Sequence, residues 1–277
     1  MNSLQNKARE IRATVIQMAH DGKEGHLNGA LSCVELLLCL FNDGLNIDPE
    51  NPKHSDRDRF IFSKGHACAS LYVVLADRGF FPIELLNSYA TDDSPLPSHP
   101  CVHALPLLDC SAGSLGHGFG MAAGKAYALQ LDGLKSKVVA LISDGECNEG
   151  STWESATFAK AHSLDNMLLI VDNNRVQSVG RSDELMGHTS LEEKFSAFGW
   201  AVKTIEGNDI ATIQQTLSDV PFEKGKPSAI IAKTIAGKGI SFMEDQVLWH
   251  YRVPSNDDLA NALEELGVQP LHRRGQQ

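Results

Sequence analysis

Residues 138–150, VVALISDGECNEG, and residues 167–174, MLLIVDNN, decide the fold of this chain. Each segment is an apolar run that ends on polar residues. The stretch between them, from Thr152 to His162, is compatible with a helix. The pattern is strand, helix, strand, and it predicts two parallel strands joined by a helical crossover.

Asp144 and Asn174 follow these two runs and lie 30 positions apart. Parallel strands end at one edge of their sheet, where open α/β sheets bind ligands. A carboxylate, an amide oxygen and the backbone carbonyl of Val176 are hard ligands of the kind that Mg²⁺ or Ca²⁺ takes. Gly145 and Gly150 leave room for a diphosphate near a helix start. These residues predict a metal–diphosphate site; the alternative is that Asp144 caps the next helix and the asparagines form a turn.

Composition excludes several classes of protein. The 277 residues are 42% hydrophobic and 21% charged, which is ordinary for a globular protein. A net charge of −11 argues against binding to nucleic acid. The six cysteines show no C-x-x-C spacing, residues 1–12 lack an apolar signal core, and no apolar run is long enough to cross a bilayer. We therefore expect a cytoplasmic protein without a membrane partner.

Strand and helix patterns alternate along the rest of the chain. The predicted helices cover residues 4–18, 31–41, 67–77, 119–129, 209–217 and 257–266, and the further strands cover 60–63, 201–206 and 228–234. Residues 92–106 are predicted to be irregular, and 273–277 to be frayed. The alternation predicts one domain, residues 1–277: a doubly wound α/β fold whose mostly parallel sheet has helices on both faces.

Four of the eleven histidines occupy glycine, proline or strand-end contexts. Side chains in such places line clefts more often than cores, whereas an isolated histidine is more often structural. The four are His26, His66, His99 and His250, and we predict that they are functional. His103 lacks such a context and is assigned to a loop.

The motif of Asp144-Gly145, about thirty residues, then Asn resembles the thiamine diphosphate motif, and the sequence around it resembles the N-terminal half of transketolase. The family usually has Gly in place of Ser143. Five further segments resemble the family: Gly25-His26, residues 62–67 (FSKGHA), residues 98–100 (SHP), residues 113–116 (GSLG) and residues 248–252 (LWHYR). The resemblance implies the thiamine diphosphate-binding fold, in its diphosphate (PP) domain.

The resemblance also implies roles for individual residues. The implied catalytic residues, which bind sugar hydroxyls and move protons, are His26, His66, His99 and His250. The implied cofactor-binding residues are His66, Gly113, Ser114, Leu115, Gly145, Glu146, Glu149, Asn174 and His250. The implied metal ligands are Asp144, Asn174 and the Val176 carbonyl. For Glu149 a helix-start carboxylate is an equal alternative, and His117, where many members have Gln, is a weaker candidate.

The resemblance spans nearly the whole chain but only the diphosphate-binding half of the enzyme, so the pyrimidine-binding domain is expected on a separate chain, in an α2β2 assembly. The implied reaction moves a two-carbon glycolaldehyde unit from a ketose or ketose phosphate to an aldose, with thiamine diphosphate and Mg²⁺ or Ca²⁺. One alternative is a specialised enzyme that delivers the unit to an unusual sugar or carrier protein, which Tyr251 favours slightly because the family has a small residue there. The others are a non-catalytic scaffold and the α-type subunit of a 2-oxo-acid dehydrogenase.

Overall fold

Five parallel strands form the central sheet in the computed structural model, which describes residues 3–272. Residues 273–277, predicted to be frayed, lie outside the described part. The described residues form seven strands in all: β1 (Arg59–Phe62), β2 (Val138–Ser143), β3 (Met167–Asn173), β4 (Val176–Gln177), β5 (Gly180–Arg181), β6 (Ala201–Glu206) and β7 (Ser228–Lys233). The sheet order is β1-β2-β3-β7-β6, and β4 and β5 form a separate small hairpin.

Helices cover both faces of the sheet, as the sequence predicts. They are α1 (Ser3–Gly22), α2 (Leu27–Ser32), α3 (Val34–Cys39), α4 (Cys68–Asp77), α5 (Gly118–Leu131), α6 (Gly150–Ala161), α7 (Ser182–Met186), α8 (Leu191–Ala197), α9 (Ile210–Ser218) and α10 (Asn256–Leu266). Short 3-10 turns lie at Gly65–Ala67, Ile83–Ser88, Gly145–Asn148 and Val247–His250. Within residues 3–272, no helix combines the length and the apolar character needed to cross a membrane.

The core lies in two layers because strand side chains alternate between the faces of the sheet. Val139 and Leu141 of β2 pack in the layer that holds α1 to α4, α9 and α10. Ala140 and Ile142 of the same strand pack in the layer that holds α5, α6 and α8. A strand buried on both faces is apolar at every position, which explains the unbroken runs in the sequence.

The register of β2 and β3 brings the polar strand ends together. Ser143, the last residue of β2, pairs with Asp172 near the end of β3. Asp144 donates its backbone N–H to the Asp172 carbonyl at 3.2 Å. Asp144 and Asn174 therefore leave the sheet at the same edge, as predicted from the strand–helix–strand pattern.

The structure differs from the predicted helix over 31–41. α2 already begins at Leu27, the helix is interrupted at Cys33, and a π turn over Leu40–Gly44 follows α3. The pattern could not reveal the break because the residues on both sides of it are buried. The β4–β5 hairpin, α7 and α8 were also missed, since they are short; no residue of α7 is buried.

Candidate active site

The four predicted histidines lie together at the carboxyl edge of the sheet. Ring centroids are 5.6 Å apart for His26 and His66, 5.3 Å for His26 and His250, and 5.7 Å for His66 and His250. His99 lies 6.1 Å from His26. A Cβ added at Gly113 would be 3.3 Å from Cδ2 of His99, so the glycine turn reaches the same cluster.

The chain delivers His26 through a strained turn between α1 and α2. Its φ of 61° lies in the left-handed region, which non-glycine residues seldom adopt. Its backbone N–H donates to the His250 carbonyl at 2.8 Å, which ties the first helices to the turn over Val247–His250. A Cβ on Gly25 would lie 2.6 Å from the Tyr251 carbonyl oxygen, so only glycine permits this approach.

Burial lowers the pKa of three histidines of the cluster, His26, His66 and His250. Burial holds the pKa of His66 well below its usual value, and the nearby positive charge of Lys64 is the second cause of the lowering. Burial and then His26 lower the pKa of His250 to about 4, and burial and then His99 lower the pKa of His26. A neutral imidazole has one nitrogen that can accept a proton or a hydrogen bond. Among the described residues, the buried Nδ1 of His250 has no hydrogen-bond partner, so it is available to a ligand.

A buried ion pair, Lys64–Asp172, lies next to the histidine cluster. The fully buried Lys64 donates from Nζ to Oδ2 of Asp172 and, at 2.8 Å, to the Gly29 carbonyl. Asp172 also accepts hydrogen bonds from Ser32 Oγ at 2.6 Å and from Thr234 Oγ1. Sequence reasoning missed this pair. The available signal was an aspartate directly after one apolar run and a lysine two positions after another, since charged residues in such places are paired when they are buried.

Asp144 is a buried carboxylate, 6% exposed, beside the histidine cluster's edge of the sheet. Burial raises its pKa to about 6, while the Ser182 hydroxyl, which donates to Oδ2 at 2.5 Å, opposes the rise. Its side chain does not cap the 3-10 turn that follows, so the capping alternative is wrong. A cavity of about 90 Å³ opens beside Asp144, Asn173 and Gln177; Arg175, which is paired with Asp183, and Lys194 also line it. A buried carboxylate that faces a small polar cavity fits a metal cation.

Asn174 makes the local turn that was considered as an alternative for it. Its Oδ1 accepts from the Val176 N–H at 3.0 Å, and Nδ2 donates to Ser32 Oγ at 3.2 Å. An amide oxygen has two lone pairs, so the turn leaves one for a metal. Within residues 3–272, no group of three or more His, Cys, Asp or Glu side chains is arranged to hold a metal. Any metal here would need the mixed set of Asp144, an amide and a carbonyl.

Glu146 connects the Asp144 segment to the glycine turn at 113–116. It is fully buried, and its Oε1 accepts from the Gly116 N–H at 2.9 Å and from the Ser63 hydroxyl. Burial raises its pKa. Ser143 accepts from the Glu146 N–H at 3.2 Å through its Oγ, which gives that serine a role in shaping the turn. Glu146, itself predicted to bind the cofactor, therefore holds the predicted cofactor-binding turn at residues 113–116 in place.

The remaining predicted residues line the same edge. Gly145 starts the turn after Asp144, and a Cβ there would lie 3.3 Å from Gln177. Ser114 is exposed and Leu115 is partly buried. Glu149 is exposed at the start of α6 and makes no capping bond. His103 and His117 are exposed outside the cluster, with His117 Nδ1 at 3.2 Å from the Leu115 carbonyl. The roles given to all these residues remain predictions.

Comparison with known sequences gives matches along almost the entire chain. The family model for "Transketolase, thiamine diphosphate binding domain" matches residues 3–273. An apulose-4-phosphate transketolase subunit of Actinobacillus succinogenes is 40% identical over 266 residues, covering 96% of each chain. The 6-deoxy-6-sulfo-D-fructose transketolase subunit SqwG of Clostridium sp. is 38% identical over 272 residues, covering 98% of this chain and 97% of that protein.

Solved structures agree with these matches. Transketolase from Campylobacter jejuni superposes with a TM-score of 0.89 at 30% identity, over 98% of this chain and 44% of its own. This chain therefore spans less than half the length of that transketolase, while it has nearly the length of the proteins that are named as subunits. The sequence match, the shared fold and the grouped site residues place the chain in the transketolase family, in its thiamine diphosphate-binding domain.

Proposed function

We propose that this chain is the diphosphate-binding subunit of a two-chain transketolase. The observation that carries the proposal is the convergence of four histidines, three of them with lowered pKa values, at the sheet edge where the buried Asp144 carboxylate also emerges. The proposed reaction transfers a two-carbon ketol unit from a ketose or ketose phosphate to an aldose. The full-length match to proteins named as transketolase subunits supports it.

The site suits thiamine diphosphate and a divalent cation. Asp144, Asn174 and the Val176 carbonyl would hold Mg²⁺ or Ca²⁺, both of which accept oxygen ligands. Gly145 and the turn at 113–116 would hold the diphosphate through backbone N–H groups. When bound, thiamine diphosphate supplies the carbon nucleophile and the electron sink for cleaving and forming the carbon–carbon bond.

The histidines would bind the sugar and handle its protons. His66 packs against α2, where a Cβ on Gly29 would be 3.1 Å from its Nε2, whereas the exposed Tyr251 ring lies beside His26 and His250. A neutral imidazole can accept the proton of a sugar hydroxyl and return it later. His99, 6.1 Å from His26, extends this hydrogen-bonding surface.

A partner chain would cover the open edge. Val179, Met186 and Leu248 are 78%, 58% and 62% exposed, and all three lie on the segments that surround the site. Large exposed apolar side chains around a cleft are typical of an interaction surface. We propose that the pyrimidine-binding subunit packs here, in an α2β2 assembly. All six cysteines are free thiols, which supports a reducing, cytoplasmic location.

Calorimetric binding of thiamine diphosphate with Mg²⁺ tests the proposal. The chain is titrated with and without the partner chain, as wild type, as Asp144→Asn and as Asp132→Asn. Asp132 is an exposed carboxylate at the end of α5, so its variant is a matched control. Asp144→Asn is expected to weaken binding more than tenfold, about 1.4 kcal/mol or more, because it removes a charged ligand. Unchanged binding in Asp144→Asn, or no binding in any wild-type sample, would overturn the proposed metal–diphosphate site.

A further inference from the structure

Tyr251 stands at the mouth of the histidine cluster. Its ring centroid is 5.4 Å from that of His26 and 4.9 Å from that of His250, edge-on to both. The side chain is nevertheless 61% exposed. His66 lies on the inner side, where a Cβ on Gly29 would be 3.1 Å from its Nε2. A molecule that reaches the cluster from solvent therefore passes the tyrosine ring before it reaches His66.

The backbone of Tyr251 is held in place from several directions. Gly25 lies directly against it, and the preceding carbonyl, that of His250, accepts from the His26 N–H at 2.8 Å. Trp249 is buried, and its Nε1 donates to the Phe242 carbonyl at 3.0 Å. The segment that carries the ring is thus anchored on both sides. The anchored backbone places the ring beside His26 and His250.

The adjacent charge is directed away from the mouth. The Arg252 guanidinium lies over the Trp249 ring, 4.9 Å from its centroid, and 3.4 Å from Asp258. The residue that faces the histidines at this position is therefore an aromatic phenol, which can make hydrogen bonds but contributes no positive charge. Because the ring carries no positive charge, it discriminates between sugars by their length and not by binding their phosphate.

We infer that Tyr251 is a specificity-determining residue that limits the length of the aldose acceptor, so that compact aldehydes of about three carbons are preferred over extended five-carbon chains. The inference rests on the proposed function and adds the acceptor class to it. The acceptor would bind with its aldehyde at the histidine cluster, so the remainder of its chain would extend outwards past His26 and His250. The longer that remainder is, the more it collides with the ring.

The test compares two acceptors with one donor, in the complex of this chain with its partner chain, cofactor and Mg²⁺. 3-Hydroxypyruvate is the donor: the bond between its carboxylate and its carbonyl carbon breaks to release CO2, one proton is taken up, and a new bond joins that carbonyl carbon to the aldehyde carbon of the acceptor. No aldose leaves, so only the acceptor varies. The acceptors are glyceraldehyde 3-phosphate and ribose 5-phosphate, and the readout is the ratio of their kcat/KM values. Tyr251→Gly removes the ring, and Tyr251→Phe keeps it while removing the hydroxyl.

We expect Tyr251→Gly to raise the ratio of ribose 5-phosphate to glyceraldehyde 3-phosphate about tenfold or more, in line with other pocket-size effects. Tyr251→Phe should keep the wild-type ratio, and calorimetric binding of thiamine diphosphate should be unchanged in both variants. An unchanged ratio in Tyr251→Gly would overturn the inference while leaving the proposed function intact. The same is true if Tyr251→Phe behaves like Tyr251→Gly, because the hydroxyl and not the bulk would then select. Cofactor binding without transfer to either acceptor by the wild-type complex would overturn the proposed function and the inference together.

Discussion

The histidines at the site differ from surface histidines in one property, the solvent around their rings. Taking an imidazolium out of water is costly, so burial favours the neutral form. His66 and His250 also face one another and lie near the positive charge of Lys64, which acts in the same direction. His26, His66 and His250 are therefore neutral hydrogen-bonding groups at physiological pH, which suits the binding of sugar hydroxyls.

The lowered pKa of His250 predicts a specific loss of stability in acid. Its pKa is about 4 in the folded chain and 6.5 in the unfolded one, so between these values the unfolded state binds more protons. The contribution of His250 to the free energy of unfolding should be complete above pH 6.5 and should decrease as the pH drops towards 4. After a discount for partial exposure, the contribution is on the order of 2 kcal/mol.

The measurement is urea denaturation at pH 7.0, 5.5 and 4.5 for the wild type and His250→Gln. Glutamine keeps hydrogen-bonding atoms but cannot become charged, so the variant should lose less stability than the wild type between pH 7.0 and 4.5. His103→Gln, at an exposed histidine, is the control and should follow the wild type. Identical acid sensitivity in His250→Gln and the wild type would show that His250 is not held neutral by the fold.

At the scale of elements, the Lys64–Asp172 pair joins parts of the chain that packing alone would leave independent. Lys64 follows β1 and Asp172 lies in β3. Two of the hydroxyls that donate to Asp172 come from other elements: Ser32 ends α2 and Thr234 follows β7. One buried carboxylate thus fixes four segments that all lead into the site. The arrangement is stable only while every charge has its partner.

Lys64→Met should therefore destabilise the chain strongly, by about 3–5 kcal/mol, because it leaves the Asp172 carboxylate buried without its cation. Adding Asp172→Asn should recover part of that loss, since the uncompensated charge is then gone. Urea denaturation of the wild type, both single variants and the double variant gives the coupling energy. Lys226→Met, which breaks the exposed Lys226–Glu223 pair, is the matched control and should leave the unfolding midpoint unchanged. Additive losses in the double variant would contradict the pairing.

For the whole molecule, the open edge of the sheet is both the candidate active site and a surface that carries large exposed apolar side chains. Leu248 and Tyr251 flank the histidines, and Val179 and Met186 lie on the hairpin and helix beside Asp144. The backbone of this edge is made of turns and short elements. Such segments open readily unless another surface covers them.

Assembly with the partner chain should therefore slow hydrogen exchange in residues 176–191 and 247–252 and leave residues 43–58 unaffected. Leu248→Glu should weaken assembly more than tenfold, because it places a charge on the covered surface. Leu131→Glu, at an exposed leucine at the far end of α5, is the control and should assemble like the wild type. Analytical ultracentrifugation measures both variants. Equal assembly of Leu248→Glu and the wild type would place the partner on another face.

Sequence patterns alone determined the α/β class, the parallel strands and the edge at which Asp144 and Asn174 emerge. Those features follow from local rules: buried strands are apolar throughout, and parallel strands end at one edge. The contexts of His26, His66, His99 and His250 likewise marked them as cleft residues before their positions were known. The order β1-β2-β3-β7-β6, the break after α2 and the hairpin were not predicted.

Only the tertiary structure decided how the site is arranged. Lys64 and Asp172 are 108 positions apart, and His26 and His250 come from opposite ends of the chain. Their contacts depend on how distant elements pack, which no local pattern specifies. Burial then sets the protonation of the histidines and of Asp144, and the anchored turn at residues 249–251 sets the place of the Tyr251 ring. Local patterning can name the residues of such a site, but their distances and desolvation exist only once the chain has packed.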